Sequence, residues 1–471
     1  MSALRAQDAD WRAGKVFSLV YHASDEHSAF LKQAHNLFFE ENALNPMAFK
    51  SLKRMETEVV RMAASLFHGD ANTCGTMTSG GTESLLMAVK SARDYARKHR
   101  GIRRPQIIVP ATVHVAFDKA AHYFGVKLRR APVGADFRCD VRAMKNLINK
   151  HTVMLVGSAP QYPHGVVDPI EDIAALAQKN GLLCHVDACV GGFILPFLER
   201  LGRSVPLWDF RVPGVTSISA DLHKYGYTAK GASVLVYRSL DVLKHQFFIA
   251  TEFPGGVYAS PSMPGTRPGG TIAAAWAGLL AMGEDGYLHL AARALDAHDR
   301  LRAGLVRIEG VELLGAPHAT IISWRMSKAS GVDVYAVADE LERRGWSVDR
   351  QQMPPSLHLT VTANHQGVVD DYLRDVAAAI AFCRAHPELK SSGNAAMYGM
   401  MAKLPVRMLV KDAVLKVMEQ MYGPGSGEVD LSAKQPGLVG KLTDKYGARV
   451  LQALDALEDV RGRVRTWRSR Q

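Results

Sequence analysis

The sequence predicts an α/β protein in which a large domain with an open, mostly parallel sheet precedes a smaller α+β domain. Three observations support this fold class. Apolar runs of strand length alternate with helical patterns between residues 107 and 187, an order typical of parallel sheets with crossover helices. Polar residues end these runs, with Asp187 directly after 182–186, as expected where a ligand lies beyond the carboxyl edge. The length of 471 residues exceeds what one core usually fills.

The predicted elements follow in a regular order. The apolar residues of 49–67 recur at steps of three and four, which predicts an amphipathic helix. Strands are then predicted at 107–109, 126–128, 153–156, 182–186, 215–219, 233–237, 320–324 and 356–361. Helices are predicted at 85–96, 115–124, 141–149, 170–180, 272–282 and 288–306.

These elements divide the chain into four parts. We predict an N-terminal arm at 1–48, a large domain at 49–285, a small C-terminal domain at 286–410 and an appended, helical, basic tail at 411–471. Residues 251–270 are rich in glycine and proline, and we interpret them as a shaped loop rather than a linker.

The composition is that of an ordinary soluble globular protein, with 47% hydrophobic and 22% charged residues. No apolar run reaches 18 residues, and the N-terminus lacks the apolar core of a secretory signal. The five cysteines are odd in number and form no CxxC pair. We therefore expect a cytoplasmic protein with neither a transmembrane segment, nor disulfides, nor a metal site.

The formal net charge of +11 is partly local. Five arginines (461, 463, 465, 468 and 470) crowd the last eleven residues. A solvated basic tail is favoured over a nucleic-acid contact, because the sequence has none of the recognition-module signatures. We expect no nucleic-acid partner.

Lys224 lies on a predicted turn between the strands 215–219 and 233–237, next to His223 and small residues. Such a position favours a desolvated amine with a chemical use, although most lysines are ordinary surface residues. A glycine-rich turn at 79–82 precedes the predicted helix 85–96. The N-terminus of a helix offers free N–H groups to an anion, typically a phosphate, but a plain helix cap would have the same composition.

His114 and Asp187 add a ring and a carboxylate, each just after a predicted strand. Alone, His114 is compatible with a hydrogen-bonded loop histidine and Asp187 with a cap on the next turn. Together with Lys224 and the turn 79–82 they match the needs of pyridoxal 5'-phosphate. This cofactor takes an anion site, a stacking ring, a carboxylate for its pyridine nitrogen and an amine for a Schiff base.

Several blocks, in order, resemble the sphingosine-1-phosphate lyase family. The clearest are Thr78-Ser-Gly-Gly-Thr-Glu-Ser84, His185-Val-Asp-Ala-Cys189 and Ser219-Ala-Asp-Leu-His-Lys-Tyr-Gly-Tyr227. Residues 160–169, 256–260, 266–270 and 397–400 resemble further blocks of the family. The resemblance runs from about residue 14 to 401. It implies a fold-type I pyridoxal phosphate enzyme, related to aspartate aminotransferase in fold, that forms a homodimer with shared active sites. It also implies cleavage of a phosphorylated long-chain base to a long-chain aldehyde and phosphoethanolamine.

The resemblance also implies roles for individual residues. Lys224 matches the Schiff-base lysine, Asp187 the partner of the pyridine nitrogen and His114 the stacking residue. The positions near the cofactor phosphate are matched by Gly81, Thr82, His223 and, from the partner subunit, Thr266. Positions near the substrate or its phosphate are matched by Tyr21, Asn42, Tyr162, Lys230 and Tyr398.

A retro-aldol cleavage requires a base near the substrate hydroxyl and a proton donor near the carbon that bears the amine. Lys224 and Lys230 are candidates for these roles, followed by Tyr21 and Tyr162. The sequence does not rank them.

The sequence departs from the family pattern at three points, and two other functions are compatible with it. Eukaryotic members of the family carry an N-terminal membrane anchor that is not expected here, and Ala43 and Asn45 stand where the family has proline and histidine. An amino-acid decarboxylase of the same superfamily is the alternative enzyme, and it would need a cation for the substrate carboxylate. A basic binding protein that retains only the cofactor fold is the alternative of a different class.

Overall fold

A seven-stranded sheet forms the centre of the larger part of the molecule. We obtained a computed structural model of the chain, and it describes residues 8–391, 393–403 and 407–424. Its strands lie in the order β1-β7-β6-β5-β4-β2-β3. They are β1 Cys74–Thr78, β2 Gln106–Pro110, β3 Lys127–Ala131, β4 Thr152–Ser158, β5 Leu183–Asp187, β6 Ser217–Ala220 and β7 Ser233–Tyr237.

The direction of the strands confirms the predicted fold class. β2 is parallel to β3 and β4, and β5 is parallel to β4 and β6. Only β7 runs against its neighbours β1 and β6 within this described sheet. The central strands are buried along their whole length, whereas the edge strand β3 exposes Lys127 and Arg130. Charge on an edge strand discourages pairing with another chain.

Helices cover both faces of this sheet. They are α1 Asp25–Leu37, α2 Lys50–Leu66, α3 Gly81–Arg100, α4 Ala116–Phe124, α5 Val141–Asn146, α6 Ile170–Lys179, α7 Leu195–Arg200 and α8 Leu240–Leu243. α2 is amphipathic as predicted and buries Leu52, Val59 and Ala63 against the core. α5 ends three residues before its predicted end, because Thr152 ties the backbone of Asn149 into a turn.

A long helix, α9 Gly269–Arg307, joins the two parts of the chain. Its backbone breaks at Gly283, with φ 55° and ψ −175°, so the two predicted helices 272–282 and 288–306 are the two arms of one kinked element. The kink lies close to the predicted domain boundary at residue 285. We attribute the kink to Gly283, because only glycine adopts these angles without strain.

The second part of the chain has a four-stranded antiparallel sheet in the order β10-β11-β13-β12. Its strands are β10 Val311–Leu313, β11 Ile321–Met326, β12 Asp349–Gln352 and β13 Pro355–Thr360. Its helices are α10 Val334–Arg343, α11 Val369–Ala385, α12 Gly393–Lys403 and α13 Arg407–Tyr422. Trp324, Trp346 and Tyr372 fill a separate core here. The α+β character expected for this region agrees with these elements.

Five described strands were not predicted, and β1 is one of them. β10 is short and β12 is polar. β8 Phe248–Ala250 and β9 Tyr258–Ser260 form a hairpin at the start of the glycine- and proline-rich loop. The described residues include no helix long and apolar enough to cross a bilayer. Most of the predicted tail, including the five arginines at 461–470, lies outside the described residues.

We expect Gly283→Ala to lower the free energy of unfolding by about 2–3 kcal/mol, because alanine is strained at these angles. No atom lies within 4 Å of the added methyl group, so packing does not contribute. Gly331 is a matched control: it is equally unobstructed but has φ 67° and ψ 2°, where alanine costs about 1 kcal/mol. Urea unfolding measures both. Equal losses would contradict the account of the kink.

Candidate active site

A cavity of about 440 Å³ lies where β4 and β5 end and α3 begins. Because parallel strands present their carboxyl ends at one edge, Ser158 and Asp187 meet there. The structure brings seven of the predicted residues to this one cavity: Gly81, Thr82, His114, Tyr162, Asp187, His223 and Lys224.

Lys224 lies on the turn between the antiparallel strands β6 and β7, as predicted. Its side chain is 27% exposed, and its Nζ is 2.9 Å from Oδ2 of Asp221. The turn is tight, since a Cβ at Gly226 would lie 2.3 Å from the carbonyl oxygen of Leu222. Burial of the amine by itself lowers the pKa of Lys224, but its neighbours together outweigh burial and raise this pKa above its ordinary value, with Asp221 as the largest of them. The amine is therefore held as an ammonium in the protein alone.

Asp221 is a site residue that the sequence analysis missed. Its carboxylate is 2% exposed and lines the cavity. Burial raises the pKa of this carboxyl, but the groups around it, above all the Lys224 ammonium, outweigh burial, so the pKa is lowered overall. Its Oδ1 has no hydrogen-bond partner among the described residues. The available signal was its position three residues before Lys224, which a turn brings within reach.

The start of α3 is an anion site in its geometry. Gly80 provides no side-chain cap, so the first N–H groups of a 20-residue helix face the cavity. Only glycine fits at position 81, since a Cβ there would lie 2.8 Å from Oδ2 of Asp221. Glu83 fixes the loop, because its carboxylate accepts hydrogen bonds from the backbone of Ser79 and Met263 at 2.7 and 2.9 Å.

Asp187 ends β5 with its carboxylate at the cavity, where Oδ1 accepts a hydrogen bond from the backbone N–H of Cys189 at 3.1 Å. Beneath it, burial lowers the pKa of His185 to about 4, so this imidazole is neutral. Its two nitrogens contact the hydroxyls of Ser217 and Ser219. Burial raises the pKa of the Cys189 thiol well above its ordinary value, which keeps it protonated.

Two histidines stand on other sides of the cavity. His114 is exposed, and its Nδ1 accepts a hydrogen bond from the backbone of Ala116 at 3.2 Å. His223 accepts one from Ala232 at 3.3 Å. Burial lowers the pKa of His223, so it is a neutral ring at the cavity wall.

Tyr162 links the cavity to the second part of the chain. Its hydroxyl donates to Oδ2 of Asp349 in β12 at 2.8 Å, and its ring stacks on His358 at 4.2 Å. Burial, reinforced by the Asp349 charge, raises the pKa of Tyr162, so the phenol keeps its proton. Asp349 lies in a polar strand that gave no sequence signal.

Tyr21 and Lys230 lie together in a second cavity, of about 310 Å³. The Lys230 ammonium donates to the carbonyl oxygens of Leu19 and His223 at 2.7 and 3.1 Å, and it lies 5.2 Å from the centre of the Tyr21 ring. Partial burial, with repulsion from Lys224, lowers the pKa of Lys230 to about 8. Burial raises the pKa of Tyr21 well above its ordinary value.

Three predicted residues lie away from the residues that line the Lys224 cavity. Asn42 and Thr266 belong to two loops that are joined to each other, and Thr266 is exposed. Tyr398 packs against Tyr335, with Arg350 over its ring.

The residues around the cavity fit pyridoxal 5'-phosphate. The uncapped start of α3 and the glycine-only position 81 suit its phosphate, and the buried carboxylate of Asp187 suits its pyridine nitrogen. Lys224 supplies the amine, and the cavity volume lies in the range of cofactor sites. The sheet topology and this arrangement define a pyridoxal phosphate-dependent enzyme of fold type I.

Comparison with known proteins narrows this class. A model of the pyridoxal-dependent decarboxylase conserved domain matches residues 11–327. Sphingosine-1-phosphate lyase of Arabidopsis thaliana is 44% identical over 427 residues, covering 89% of this chain and 78% of that protein. The solved structure of sphingosine-1-phosphate lyase of Burkholderia pseudomallei superposes with a TM-score of 0.81 at 36% identity and covers 89% of this chain and 93% of that chain.

A more distant structure, glutamate decarboxylase of Lactobacillus brevis, shares the fold with a TM-score of 0.72 at 21% identity, covering 81% of this chain and 92% of that chain. The chain belongs to the sphingosine-1-phosphate lyase family. Its expected cofactor, pyridoxal 5'-phosphate, is that of the matched domain.

We expect Asp221→Asn to lower the pKa of Lys224 in the protein without cofactor, because burial of the amine remains while the attraction is lost. A fall of one unit would speed acylation of Lys224 at pH 9 about tenfold. Labelling of Lys224, followed by mass spectrometry of its peptide, measures this. Asp187→Asn is the matched control, since Asp187 contributes least to the raised pKa. An equal or larger effect of Asp187→Asn would contradict the assignment of Asp221.

Proposed function

We propose that the chain cleaves sphingosine 1-phosphate or a related phosphorylated long-chain base to a long-chain aldehyde and phosphoethanolamine. The carbon–carbon bond between the amine-bearing and hydroxyl-bearing carbons breaks. The hydroxyl loses its proton to a base, and the amine-bearing carbon gains a proton. The observation that carries this proposal is the partly buried amine of Lys224 in one cavity with Asp187 and the start of α3, in a chain of this family.

We propose that Gly81, Thr82 and His223 hold the cofactor phosphate, that His114 stacks on the ring and that Asp187 pairs with the ring nitrogen. Bound pyridoxal 5'-phosphate supplies an electron sink for the pair left on the amine-bearing carbon. The negative charge of Asp187 suits a protonated ring nitrogen. The neutral His223 can donate one hydrogen bond to the phosphate, since its Nδ1 already accepts from Ala232.

The raised and lowered pKa values divide the proton-handling residues into two groups. Tyr162, Tyr21 and, when paired with Asp221, Lys224 keep their protons. They suit orientation of the substrate hydroxyl by hydrogen bonds and return of a proton to carbon. Lys230, with a pKa of about 8, is partly neutral near neutral pH. We therefore propose Lys230 as the base, or as the ammonium that meets the substrate phosphate when it is charged.

The relatives favour this reaction over amino-acid decarboxylation. The sphingosine-1-phosphate lyases of Arabidopsis thaliana and Burkholderia pseudomallei are 44% and 36% identical to this chain, whereas the glutamate decarboxylase structure is 21% identical.

We propose that the chain forms a homodimer in which Asn42 and Thr266 act in the partner's site. Both lie beside large apolar side chains that are exposed in the single chain. On the Asn42 side these are Leu37, Phe39, Leu44 and Met47, and on the Thr266 side Phe248, Ile249, Phe253, Val257 and Met263. Exposed apolar surface of this extent favours burial against another subunit. Tyr398 is proposed as a substrate residue on the resemblance alone.

We expect purified protein with pyridoxal phosphate to release a long-chain aldehyde from sphingosine 1-phosphate and no carbon dioxide from amino acids. Lys224→Ala should lower the rate at least 10³-fold, because the only amine of the cavity wall is lost. Lys179→Ala, at an exposed position of α6, is the control and should leave the rate unchanged. Aldehyde is measured by mass spectrometry. Carbon dioxide release without aldehyde would establish the decarboxylase instead.

A further inference from the structure

We propose that the buried ion pair of Arg267 and Glu56 anchors the two loops that carry Asn42 and Thr266, so that both residues of the pair position groups for the partner subunit's active site. This inference rests on the homodimer proposed above. It assigns a function to Glu56 and Arg267, which have no role in the mechanism proposed above.

The ion pair is almost completely buried. The side chains of Arg267 and Glu56 are 10% and 3% exposed. The guanidinium donates to both oxygens of Glu56, with Nη2 3.2 Å from Oε2, and its Nη2 also donates to the carbonyl oxygen of Ala43 at 3.3 Å. Oε1 of Glu56 accepts a further bond from the backbone of Met77 at 3.2 Å. Such a pair is rigid, because breaking it leaves an unpaired charge in the protein interior.

Backbone hydrogen bonds then join the two loops to the pair. The N–H of Ala43 donates to the carbonyl oxygen of Arg267 at 2.9 Å, and the N–H of Gly269 donates to that of Glu41 at 2.9 Å. Asn42 and Pro268 form an antiparallel bridge between them. The approach is close, since a Cβ at Gly269 would lie 2.5 Å from the carbonyl oxygen of Glu41. Asn42 and Thr266 are therefore held as one unit, because each is next in sequence to a residue, Ala43 or Arg267, that these bonds hold in place.

The position of this unit indicates that it acts outside its own chain. Neither Asn42 nor Thr266 lines the Lys224 cavity of the same chain. Thr266 is exposed, and the exposed apolar side chains named above lie in the chain segments that flank the two loops. If a second subunit covers these side chains, the clamped loops meet its site rather than their own.

The test uses an anchor variant, Glu56→Gln with Arg267→Met, which removes both charges together and keeps an acceptor for Met77. Removing both partners of a buried pair is tolerated far better than removing one. Two mixed dimers are purified by different tags on the two chains. In the first, an anchor-variant chain pairs with a Lys224→Ala chain. In the second, an unaltered chain pairs with a chain that carries the anchor variant and Lys224→Ala.

Each mixed dimer retains one Lys224, and its occupancy is measured by borohydride reduction over a range of pyridoxal phosphate concentrations. We expect the first dimer to bind pyridoxal phosphate as tightly as a mixed dimer of unaltered and Lys224→Ala chains does. We expect the second dimer to bind it about tenfold more weakly, which is the usual effect of losing a supporting group. Thr266→Ala, placed in the same two arrangements, should give the same pattern, since it removes the positioned group itself.

The reverse pattern, with weak affinity in the first dimer only, would overturn the role of the ion pair while leaving the dimer intact. Equal affinity in both dimers would overturn it as well. Light scattering that shows only monomers would overturn the homodimer, and with it this role. Thermal unfolding of the anchor variant without cofactor separates positioning from folding: an unchanged melting temperature with the expected pattern supports positioning. A loss of stability that also weakens the first dimer would contradict it.

Discussion

The ion pair between Lys224 and Asp221 is the interaction on which the site depends. A buried amine next to no counter-charge would lose its proton or leave the cavity. At 2.9 Å, Asp221 keeps the ammonium in place between β6 and β7. Asp221 also lies against Gly81, the first residue of α3. A Cβ at this position would be 2.8 Å from Oδ2 of Asp221, so glycine is required there. One carboxylate thus contacts the Lys224 amine and limits position 81, at the start of α3, to a residue without a side chain.

Around this pair the architecture supplies the remaining groups. Parallel strands bring Asp187 and Ser158 to one edge, and α3 begins at that edge. The second part of the chain contributes the hydrogen bond from Tyr162 to Asp349, backed by stacking on His358. The site therefore depends on how α9, kinked at Gly283, sets the smaller sheet against the larger one.

Much of this organisation could be predicted from the sequence, because it rests on local patterns. The mostly parallel sheet follows from apolar runs that alternate with helices, and the turn at Lys224 follows from two β-branched runs. Asp349 could not be predicted, since the strand that holds it, Asp349–Gln352, is polar and is defined only by pairing with β13. Asp221 was within the motif but was missed, because its role depends on a turn that folds it back onto Lys224. The roles of individual site residues stay predictions, as do the domain boundaries.

The most direct test of the central claim is to identify the amine that binds the cofactor. The protein is incubated with pyridoxal 5'-phosphate, reduced with borohydride and digested, and the modified peptide is sequenced by mass spectrometry. The account predicts a phosphopyridoxyl group on Lys224 and none on Lys230, six residues further along the same loop. Modification of Lys230 in place of Lys224, or the absence of a modified lysine at saturating cofactor, would contradict it.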